Sequence, residues 1–210
     1  MVRIPKKTLE RQLFRSGFGA VVGVDEVGMA CLAGSVTVCA VRFIPAFYAH
    51  ANRRLARLRD SKALSSHQRE RYAEELMASP YLVYRIASCT PATIDRMNIY
   101  QASRHAMRRA IRAITAGNIR TMVLVDGNKP VEGIGHEQMP IVKGDQHVFA
   151  IAAASIIAKV HRDRMMTRAA VRYPGYGFER HKGYPTALHF ERLGILGPSD
   201  LHRRSFRGIA

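Results

Sequence analysis

The segment from residue 21 to residue 34 restricts the fold of this chain most, because an apolar run ends in two adjacent carboxylates. Residues 20–24 are apolar or small without polar alternation, which predicts a strand buried on both faces. Side chains alternate along a strand, so Asp25 and Glu26 cannot both enter the core. We expect the pair at the end of the strand, with both carboxylates reaching one cleft from different directions. Taken alone, such a pair is also typical of a solvated turn.

The charge of the chain indicates a polyanionic partner. Lys and Arg number 33 against 16 Asp and Glu among 210 residues, a formal charge of +17. This excess favours nucleic acid as the partner, although charge alone does not separate an enzyme from a binding protein. A membrane-surface role would need a basic amphipathic helix or a lipidation motif, and the sequence displays neither, so no membrane partner is expected.

Cysteine usage and hydropathy predict a cytoplasmic protein, which we expect to be a monomer. Cys31, Cys39 and Cys89 form no Cys-x-x-Cys pair, so neither a disulfide framework nor a zinc site is indicated. Residues 1–18 are basic but lack the apolar core of a signal peptide. The longest uncharged stretch, residues 27–41, is too short to span a bilayer.

Strands alternate with helices along the rest of the chain, which predicts an α/β fold. The further strands are expected at residues 35–44, 81–88, 121–125 and 140–142. A short turn joins the first of these to residues 20–24, so the two should pair in an antiparallel hairpin. The sheet is therefore predicted to be mixed.

Three helices have clear sequence signals. A Ser-x-x-Gln capping box at Ser65 opens a helix that runs to about Met77. An amphipathic helix follows Thr93, and Gly117 is a plausible stop for it. A long alanine-rich helix containing residues 151–160 should pack closely on the sheet, whereas residues 46–60 are expected to form a basic loop with a short helix.

Two further acidic residues share the setting of the first pair. Asp126 follows the apolar residues 121–125, and Asp145 follows residues 140–142, each beside a glycine. Ligands gather at the carboxyl ends of strands in open α/β sheets, and four carboxylates there would repel one another. A pair of divalent cations resolves that repulsion, and an all-oxygen donor set favours Mg²⁺ or Mn²⁺ over zinc. Two such ions beneath a basic surface indicate a nuclease.

Several motifs follow one another from about residue 20 to residue 206. They occupy residues 24–28, 60–62, 125–128, 143–145, 152–160, 162–163, 181–184 and 197–206. In order and in residue type they resemble bacterial ribonuclease HII. The resemblance implies a ribonuclease H-like mixed sheet flanked by helices, with a helical C-terminal subdomain. It divides the chain into a basic extension at 1–18, a catalytic domain at 19–172 and a substrate-binding part of the same domain at 173–210.

The resemblance also implies an activity, the endonucleolytic hydrolysis of the RNA strand in RNA–DNA hybrids or in DNA containing ribonucleotides. Its catalytic carboxylates are Asp25, Glu26, Asp126 and Asp145. The first three would be metal ligands, and Asp145 would join them once a substrate phosphate is bound. Water would attack the phosphorus in line and the ribose 3′-oxygen would leave, giving 5′-phosphate and 3′-hydroxyl ends.

Substrate contacts are implied in the same way. Tyr184 would stack on the sugar that follows the ribonucleotide, although a loop tyrosine more often only packs its ring. The loop Gly28-Met29-Ala30 would grip the 2′-hydroxyl through its backbone. Lys62, Lys143 and Lys182 are candidates for phosphate contacts, and each is equally explained as a solvated lysine.

The loop at residues 28–30 departs from the family pattern. Gly28-Met29-Ala30 stands where the family has Gly-Arg-Gly, and Cys31 replaces a usual proline. The change removes a fixed cation near the phosphate and adds a Cβ that would be strained at a positive φ. The hypothesis that follows is intact hybrid cleavage with weakened incision at a single embedded ribonucleotide.

Other titratable residues leave two alternatives open. A metal-independent ribonuclease could use His181, His189 or His202 as acid and base, and it would leave a 2′,3′-cyclic phosphate in the presence of EDTA. A non-catalytic protein would bind a hybrid without cleaving it in Mn²⁺. Asp163, between Arg162 and Arg164, is expected to make local ion pairs and not to act as a fifth catalytic carboxylate.

Overall fold

The computed structural model describes residues 4–49, 61–115 and 117–209, together with Leu55 and Leu58. Within these residues one five-stranded sheet forms the centre of the molecule, in the order β3-β2-β1-β4-β5. Its strands are β1 (Ala20–Val27), β2 (Val36–Phe43), β3 (Leu82–Cys89), β4 (Thr121–Asp126) and β5 (Glu137–Ile141). β1–β2 and β2–β3 are antiparallel, whereas β1–β4 and β4–β5 are parallel, so the prediction of a mixed sheet is confirmed.

Helices flank the sheet on both faces. They are α1 (Thr8–Arg15), α2 (Pro45–Ala49), α3 (Ser66–Met77), α4 (Pro91–Met97), α5 (Ile99–Arg112), α6 (Gly144–His147), α7 (Phe149–Arg172), α8 (Phe178–His181) and α9 (Ala187–Leu196). The capping box at the start of α3 is present, because the Ser65 side chain accepts from the Gln68 backbone and the Gln68 side chain accepts from the Ser65 backbone.

The first strand is longer than the sequence suggests. β1 continues through Asp25 and Glu26 to Val27, paired with β2 along its length, so the two acids lie within the strand and do not follow it. The expectation that the strand ends before them is wrong, because cross-strand pairing with Cys39 and Val38 holds their backbones extended. The alternation of side chains across the sheet therefore applies directly to both carboxylates.

The amphipathic segment after Thr93 is two helices and not one. Asn98 has φ +67° and ψ 162°, which ends α4, and its side chain accepts from the Gln101 backbone to cap α5. Asparagine tolerates a positive φ better than most residues, and its side chain competes for backbone groups. Because the apolar stripe continues across the break, sequence periodicity alone does not reveal it.

Helix α7 lies against the middle of the sheet at β1. An added Cβ at Gly23 would come within 2.2 Å of the Ala150 carbonyl, so only glycine permits this close approach. Val21, Leu124, Ile151 and Ala154 belong to the apolar core on this side, and α5 covers the opposite face over Val22 and Val24. This close packing brings the first half of α7 next to the acidic end of β1.

Two expectations fall partly outside the described residues. Asp60, the first residue of the motif at 60–62, is among the residues not described, as are most of residues 50–60. The expected short helix in this region is α2. The expected N-terminal extension contains α1, and the buried Glu10 of this helix accepts a 2.8 Å hydrogen bond from the Ala150 backbone. The three-part division of the chain stays a prediction.

Candidate active site

Asp25 and Asp126 are neighbours on the two central parallel strands. The register pairs Val24 of β1 with Val125 of β4, and each acid is the next residue of its strand. Adjacent strands lie about 4.8 Å apart, so the two backbones are that close at this point. Asp126 is two residues after Leu124, whose side chain faces α7, and Asp25 is two residues after Gly23, the partner of Leu124 on β1. Side chains alternate along a strand, so both acids point to the α7 face. The two carboxylates therefore share one face of the sheet.

Glu26 approaches the same end of the sheet from the other side. It has the parity of Val24, whose side chain packs in the cluster with α5. The positive charge of Arg104 on α5 acts on Glu26 and favours its ionised form. The expectation that Asp25 and Glu26 reach the site from different directions agrees with this geometry.

Asp145 lies in the short helix α6, just beyond the end of β5. The preceding Gly144 donates its backbone N–H to Asp126 Oδ1 at 2.7 Å, which ties α6 to the end of β4. Asp145 is 6% exposed, and its Oδ2 lies 3.9 Å from Nζ of the exposed Lys62. Lys143 is exposed and adopts a left-handed conformation with φ +54° at the start of this helix.

We call Asp25, Glu26, Asp126 and Asp145 the acid cluster, because their charges act on one another. Burial, followed by the charges of Glu26 and Asp126, raises the pKa of Asp25 well above its ordinary value. Burial and the charge of Asp126 raise the pKa of Glu26 to about 7. Burial also raises the pKa of Asp126, although the Gly144 N–H opposes it. The cluster therefore resists carrying its full negative charge.

Two serines connect the acid cluster to α7. The hydroxyl of Ser155 on α7 hydrogen-bonds to Asp25 and favours the carboxylate form. The Ser155 hydroxyl is also 3.1 Å from that of Ser61, in the segment that carries Lys62, and both serines are buried. The motif at 60–62 thus reaches the cluster through Ser61 as well as through its lysine.

The chemistry of the acid cluster fits hard divalent cations. Carboxylate oxygens are the donors that Mg²⁺ and Mn²⁺ prefer, and a bound cation offsets the repulsion that raises these pKa values. Across residues 4–49, 61–115 and 117–209, no three His, Cys, Asp or Glu side chains lie close enough together to form a metal site by themselves. Mg²⁺ commonly takes one or two carboxylates and completes its shell with water and substrate phosphate, so an open arrangement suits it.

Comparisons with known proteins identify the family of this chain. A family model described as Ribonuclease HII matches residues 22–208. The chain belongs to the ribonuclease HII family. The ribonuclease HII of Rhizobium meliloti (strain 1021) is 44% identical over 204 residues, which cover 97% of this chain and 90% of that protein. The ribonuclease HII of Chlorobium chlorochromatii (strain CaD3) is 43% identical over 187 residues, 89% of each.

Solved structures confirm the ribonuclease H-like fold with its helical C-terminal region. The ribonuclease H2 from Pyrococcus horikoshii OT3 matches with a TM-score of 0.73 at 23% identity, over 90% of this chain and 95% of that one. The ribonuclease HII in a PCNA complex from Archaeoglobus fulgidus matches with a TM-score of 0.72 at 25% identity, over 89% and 95%.

Family membership shows that the chain is an enzyme, a ribonuclease H. Enzymes of this family are endonucleases for the RNA strand of RNA–DNA hybrids. In the described residues no helix is both long and apolar enough to cross a bilayer.

The loop at residues 28–30 lies against two buried arginines, Arg162 and Arg203. Gly28 has φ +91°, and a Cβ there would lie 2.4 Å from Nε of Arg162 on α7. Arg203 donates to the Met29 carbonyl at 3.1 Å, while the Met29 side chain packs against the α5 side of the core. Ala30 is not among the residues with positive φ, so the strain feared for its Cβ is absent. The sequence motifs contained both Arg162 and Arg203 without revealing that they lie against this loop.

Tyr184 lies over the same arginine, next to the loop at residues 28–31. Its ring is half-buried, with Lys159 Nζ 5.1 Å and Arg162 Cζ 5.8 Å from the ring centroid. Its hydroxyl interacts with the thiol of Cys31, and burial raises the pKa of the phenol. The structure therefore brings Tyr184 to the loop that contains Met29 and Ala30.

Lys182 is directed away from the acid cluster. Its ammonium donates to the Thr167 hydroxyl and to the Glu179 carbonyl at 2.7 Å, both on the C-terminal half of the molecule. Its backbone is left-handed with φ +52°, and its carbonyl accepts from Arg162. In the present conformation its side chain fixes the turn that precedes Tyr184.

The three histidines of the alternative mechanism form a buried stack. His181 and His189 have ring centroids 4.1 Å apart, and His189 Nε2 lies 3.1 Å from His202 Nε2. All three are at most 7% exposed, and burial lowers the pKa of each, that of His189 to about 4. Such groups are poorly placed to exchange protons with a substrate in solvent.

Asp163 makes local ion pairs, although not with the residues beside it. Its carboxylate lies 2.7 Å from Lys159 Nζ and 4.0 Å from an Arg69 nitrogen. Arg162 points to backbone carbonyls, and Arg164 pairs with Glu74 at 3.4 Å. The expectation of local ion pairing agrees with the structure, and the partner on the same helix is Lys159, because residues four apart face each other on a helix.

Proposed function

We propose that this protein hydrolyses the RNA strand of RNA–DNA hybrids by two-metal-ion catalysis, leaving 5′-phosphate and 3′-hydroxyl ends. The observation that carries the proposal is the adjacency of Asp25 and Asp126 on neighbouring parallel strands. Glu26 and Asp145 add two more carboxylates whose charges act on the same pair. Several negative charges lie close together in this pocket, so divalent cations that bind there stabilise it.

The carboxylates divide the work of holding the ions. Asp25 and Asp126 are the central ligands, Glu26 holds one ion, and Asp145 contributes when the substrate phosphate is present. The Gly144 N–H orients Asp126, and the Ser155 hydroxyl orients Asp25. When bound, two divalent ions would lower the pKa of the attacking water. Their positive charge would stabilise the phosphate and the leaving 3′-oxygen.

The substrate contacts surround the acid cluster. Tyr184 stacks on the sugar that follows the ribonucleotide, and the backbone of Gly28-Met29-Ala30 reads the 2′-hydroxyl. Lys62 contacts the substrate phosphate next to Asp145, which is consistent with the 3.9 Å distance between Lys62 Nζ and Asp145 Oδ2. Lys143 is exposed at the start of α6 and can reach a backbone phosphate.

Lys182 contributes by holding the turn of Tyr184, since its ammonium is already bonded within the protein. We propose that the protein acts as a monomer in the cytoplasm on RNA–DNA hybrids and on DNA that contains ribonucleotides.

The Met29 loop sets a preference among substrates. Because Met29 packs into the core side of α5, the loop offers no cation to the phosphate. We expect cleavage of long hybrids to persist while incision at a single embedded ribonucleotide is weak. Installing Met29→Arg with Ala30→Gly should raise the single-ribonucleotide rate and leave the hybrid rate within about threefold, as expected for one added charge-assisted contact.

A cleavage assay with two substrates tests the proposal. The protein is incubated with a long hybrid and with a duplex containing one ribonucleotide, in Mg²⁺, in Mn²⁺ and in EDTA, and the product ends are identified. The proposal requires metal-dependent cleavage with 5′-phosphate ends that Asp126→Asn abolishes. Glu137→Gln, an exposed acid at the far end of β5 paired with Arg120, is the matched control and should leave cleavage unchanged.

Two outcomes would replace the proposal. Cleavage in EDTA with 2′,3′-cyclic phosphate ends would assign the reaction to an acid–base pair without metal. Hybrid binding without cleavage in either metal would assign a binding function.

A further inference from the structure

An exposed tyrosine, Tyr100, lies between two cations at the start of α5. Tyr100 is 43% exposed, although its ring is a large apolar group. The Arg104 guanidinium carbon lies 5.9 Å from the ring centroid and Lys129 Nζ lies 5.8 Å from it. We call Tyr100, Arg104 and Lys129 the α5 rim.

The α5 rim is held against the loop that follows β4, close in sequence to Asp126. The Arg104 side chain donates to the Lys129 carbonyl at 2.8 Å and to the Pro130 carbonyl, so α5 is tied to the loop that follows β4. Lys129 is three residues after Asp126, which limits their Cα separation to about 10 Å. Arg104 is also one of the two cations, with Lys62, whose charges act on Glu26 and lower its pKa. The rim therefore borders the acid cluster on the side away from Tyr184.

The composition of the rim matches a nucleic-acid strand. An exposed aromatic ring offers a stacking face to a base or sugar, and flanking cations suit phosphates on either side. The position suits the substrate too, because about 10 Å corresponds to about three nucleotides along a strand at about 3.4 Å each. The rim offers no extended apolar patch for a protein partner to bury, because the apolar side chains of α5 pack against the sheet.

We propose that the α5 rim binds the sugar–phosphate backbone of the substrate within a few nucleotides of the acid cluster, with Tyr100 as the stacking residue. The inference rests on the proposed function and adds to it a contact site separate from Tyr184 and the loop at 28–30. The strand would then be held on both sides of the acid cluster, which fixes its register over the carboxylates.

Binding without turnover tests the inference. Affinity for a hybrid is measured in EDTA, on the Asp126→Asn background, at several salt concentrations. Lys129→Gln should reduce the slope of log affinity against log salt by about 1, because one phosphate contact is lost. Tyr100→Ala should weaken binding about 5- to 100-fold with the slope retained, since stacking is not an ionic contact.

A matched control is Arg172→Gln at the end of α7. Arg172 also lies over a tyrosine, with 5.7 Å between its guanidinium carbon and the Tyr173 ring. It is 17 residues beyond Ser155, about 25 Å along the helix from the acid cluster. Its affinity and salt slope should match those of the parent protein.

The outcomes separate the inference from the proposed function. If the parent protein binds the hybrid and both Lys129→Gln and Tyr100→Ala bind it with the same affinity within twofold, the inference is overturned. The proposed function is then unaffected. A parent that binds no hybrid overturns both. Thermal melting accompanies each variant, and because Lys129 is exposed on a loop, its variant decides the question if Tyr100→Ala fails to fold.

Discussion

The Arg162 guanidinium donates a 2.8 Å hydrogen bond to the Lys182 carbonyl, and this contact joins α7 to the turn that carries Tyr184. Other nitrogens of the same side chain donate to the carbonyls of Ala33 at 2.9 Å and Ser35 at 3.1 Å. Arg162 is fully buried, so these carbonyls have little access to water. One residue thus links the helix beside the acid cluster, the segment at residues 33–35 and the turn that carries Tyr184.

Replacing Arg162 should destabilise the fold and loosen substrate binding together. Arg162→Met keeps much of the buried stem but leaves three carbonyls without a donor, which costs about 3 kcal/mol or more. Urea unfolding measures the stability, and hybrid affinity reports the position of Tyr184. Arg168→Met is the control, because Arg168 is an exposed arginine on α7 six residues after Arg162. A loss below about 1 kcal/mol would contradict the structural role.

A methyl group at Gly28 should disturb the same arginine. The residue has φ +91°, and the new Cβ would meet Arg162 Nε at 2.4 Å, so Gly28→Ala is strained in both backbone and packing. We expect a stability loss of about 2 kcal/mol and reduced hybrid cleavage. Gly135→Ala is the matched control, because a Cβ there meets nothing within 4 Å. Equal effects at the two glycines would refute the predicted contact.

Removing one charge from the acid cluster should stabilise the metal-free protein. The pKa of Glu26 is raised to about 7 from an ordinary value near 4.5, so its ionisation costs stability as pH rises through that range. In EDTA, Glu26→Gln should gain about 1–3 kcal/mol at pH 8 and almost nothing near pH 4.5. Thermal melts at both pH values measure this. The idea fails if the gain is the same at both.

The histidine stack should make the fold acid-sensitive. The buried His189 has a pKa lowered to about 4, so the folded state favours the neutral ring. The stability contributed by the stack is complete above about pH 6.5, the ordinary value, and is lost as pH falls toward about 4. Urea unfolding across this range should show a decline of about 2–3 kcal/mol that His189→Gln flattens. An equally steep decline in that variant would exclude the stack as its source.

The sequence contained the local signals of this fold and of its acids. Residues 21–26 pass from β-branched to acidic within one strand, and the capping box at Ser65 fixes the start of α3. Local propensity is sufficient for both, because each depends on neighbours a few residues away. The four acids were found because acidic residues are scarce in this chain and each follows an apolar run.

The long-range contacts were beyond the sequence pattern. Arg162 bonds to residues 127 and 129 positions away, so no periodicity points to its partners. The break at Asn98 depends on one residue in a left-handed conformation inside a continuous apolar stripe. Ala30 does not have a positive φ, so the strain expected for its Cβ is absent. The sequence could not show this, because the surrounding loop sets φ.

Metal binding tests the central claim most directly. Mn²⁺ binding at pH 8 is followed by electron paramagnetic resonance in the unmodified protein, in Asp126→Asn and in Glu137→Gln, an acid about 13 Å along β5 from the end that Asp126 faces. We predict that Asp126→Asn loses the bound ion, or binds it at least tenfold more weakly, while Glu137→Gln retains it. Equal Mn²⁺ binding by all three proteins would contradict the assignment of the acid cluster as the metal site.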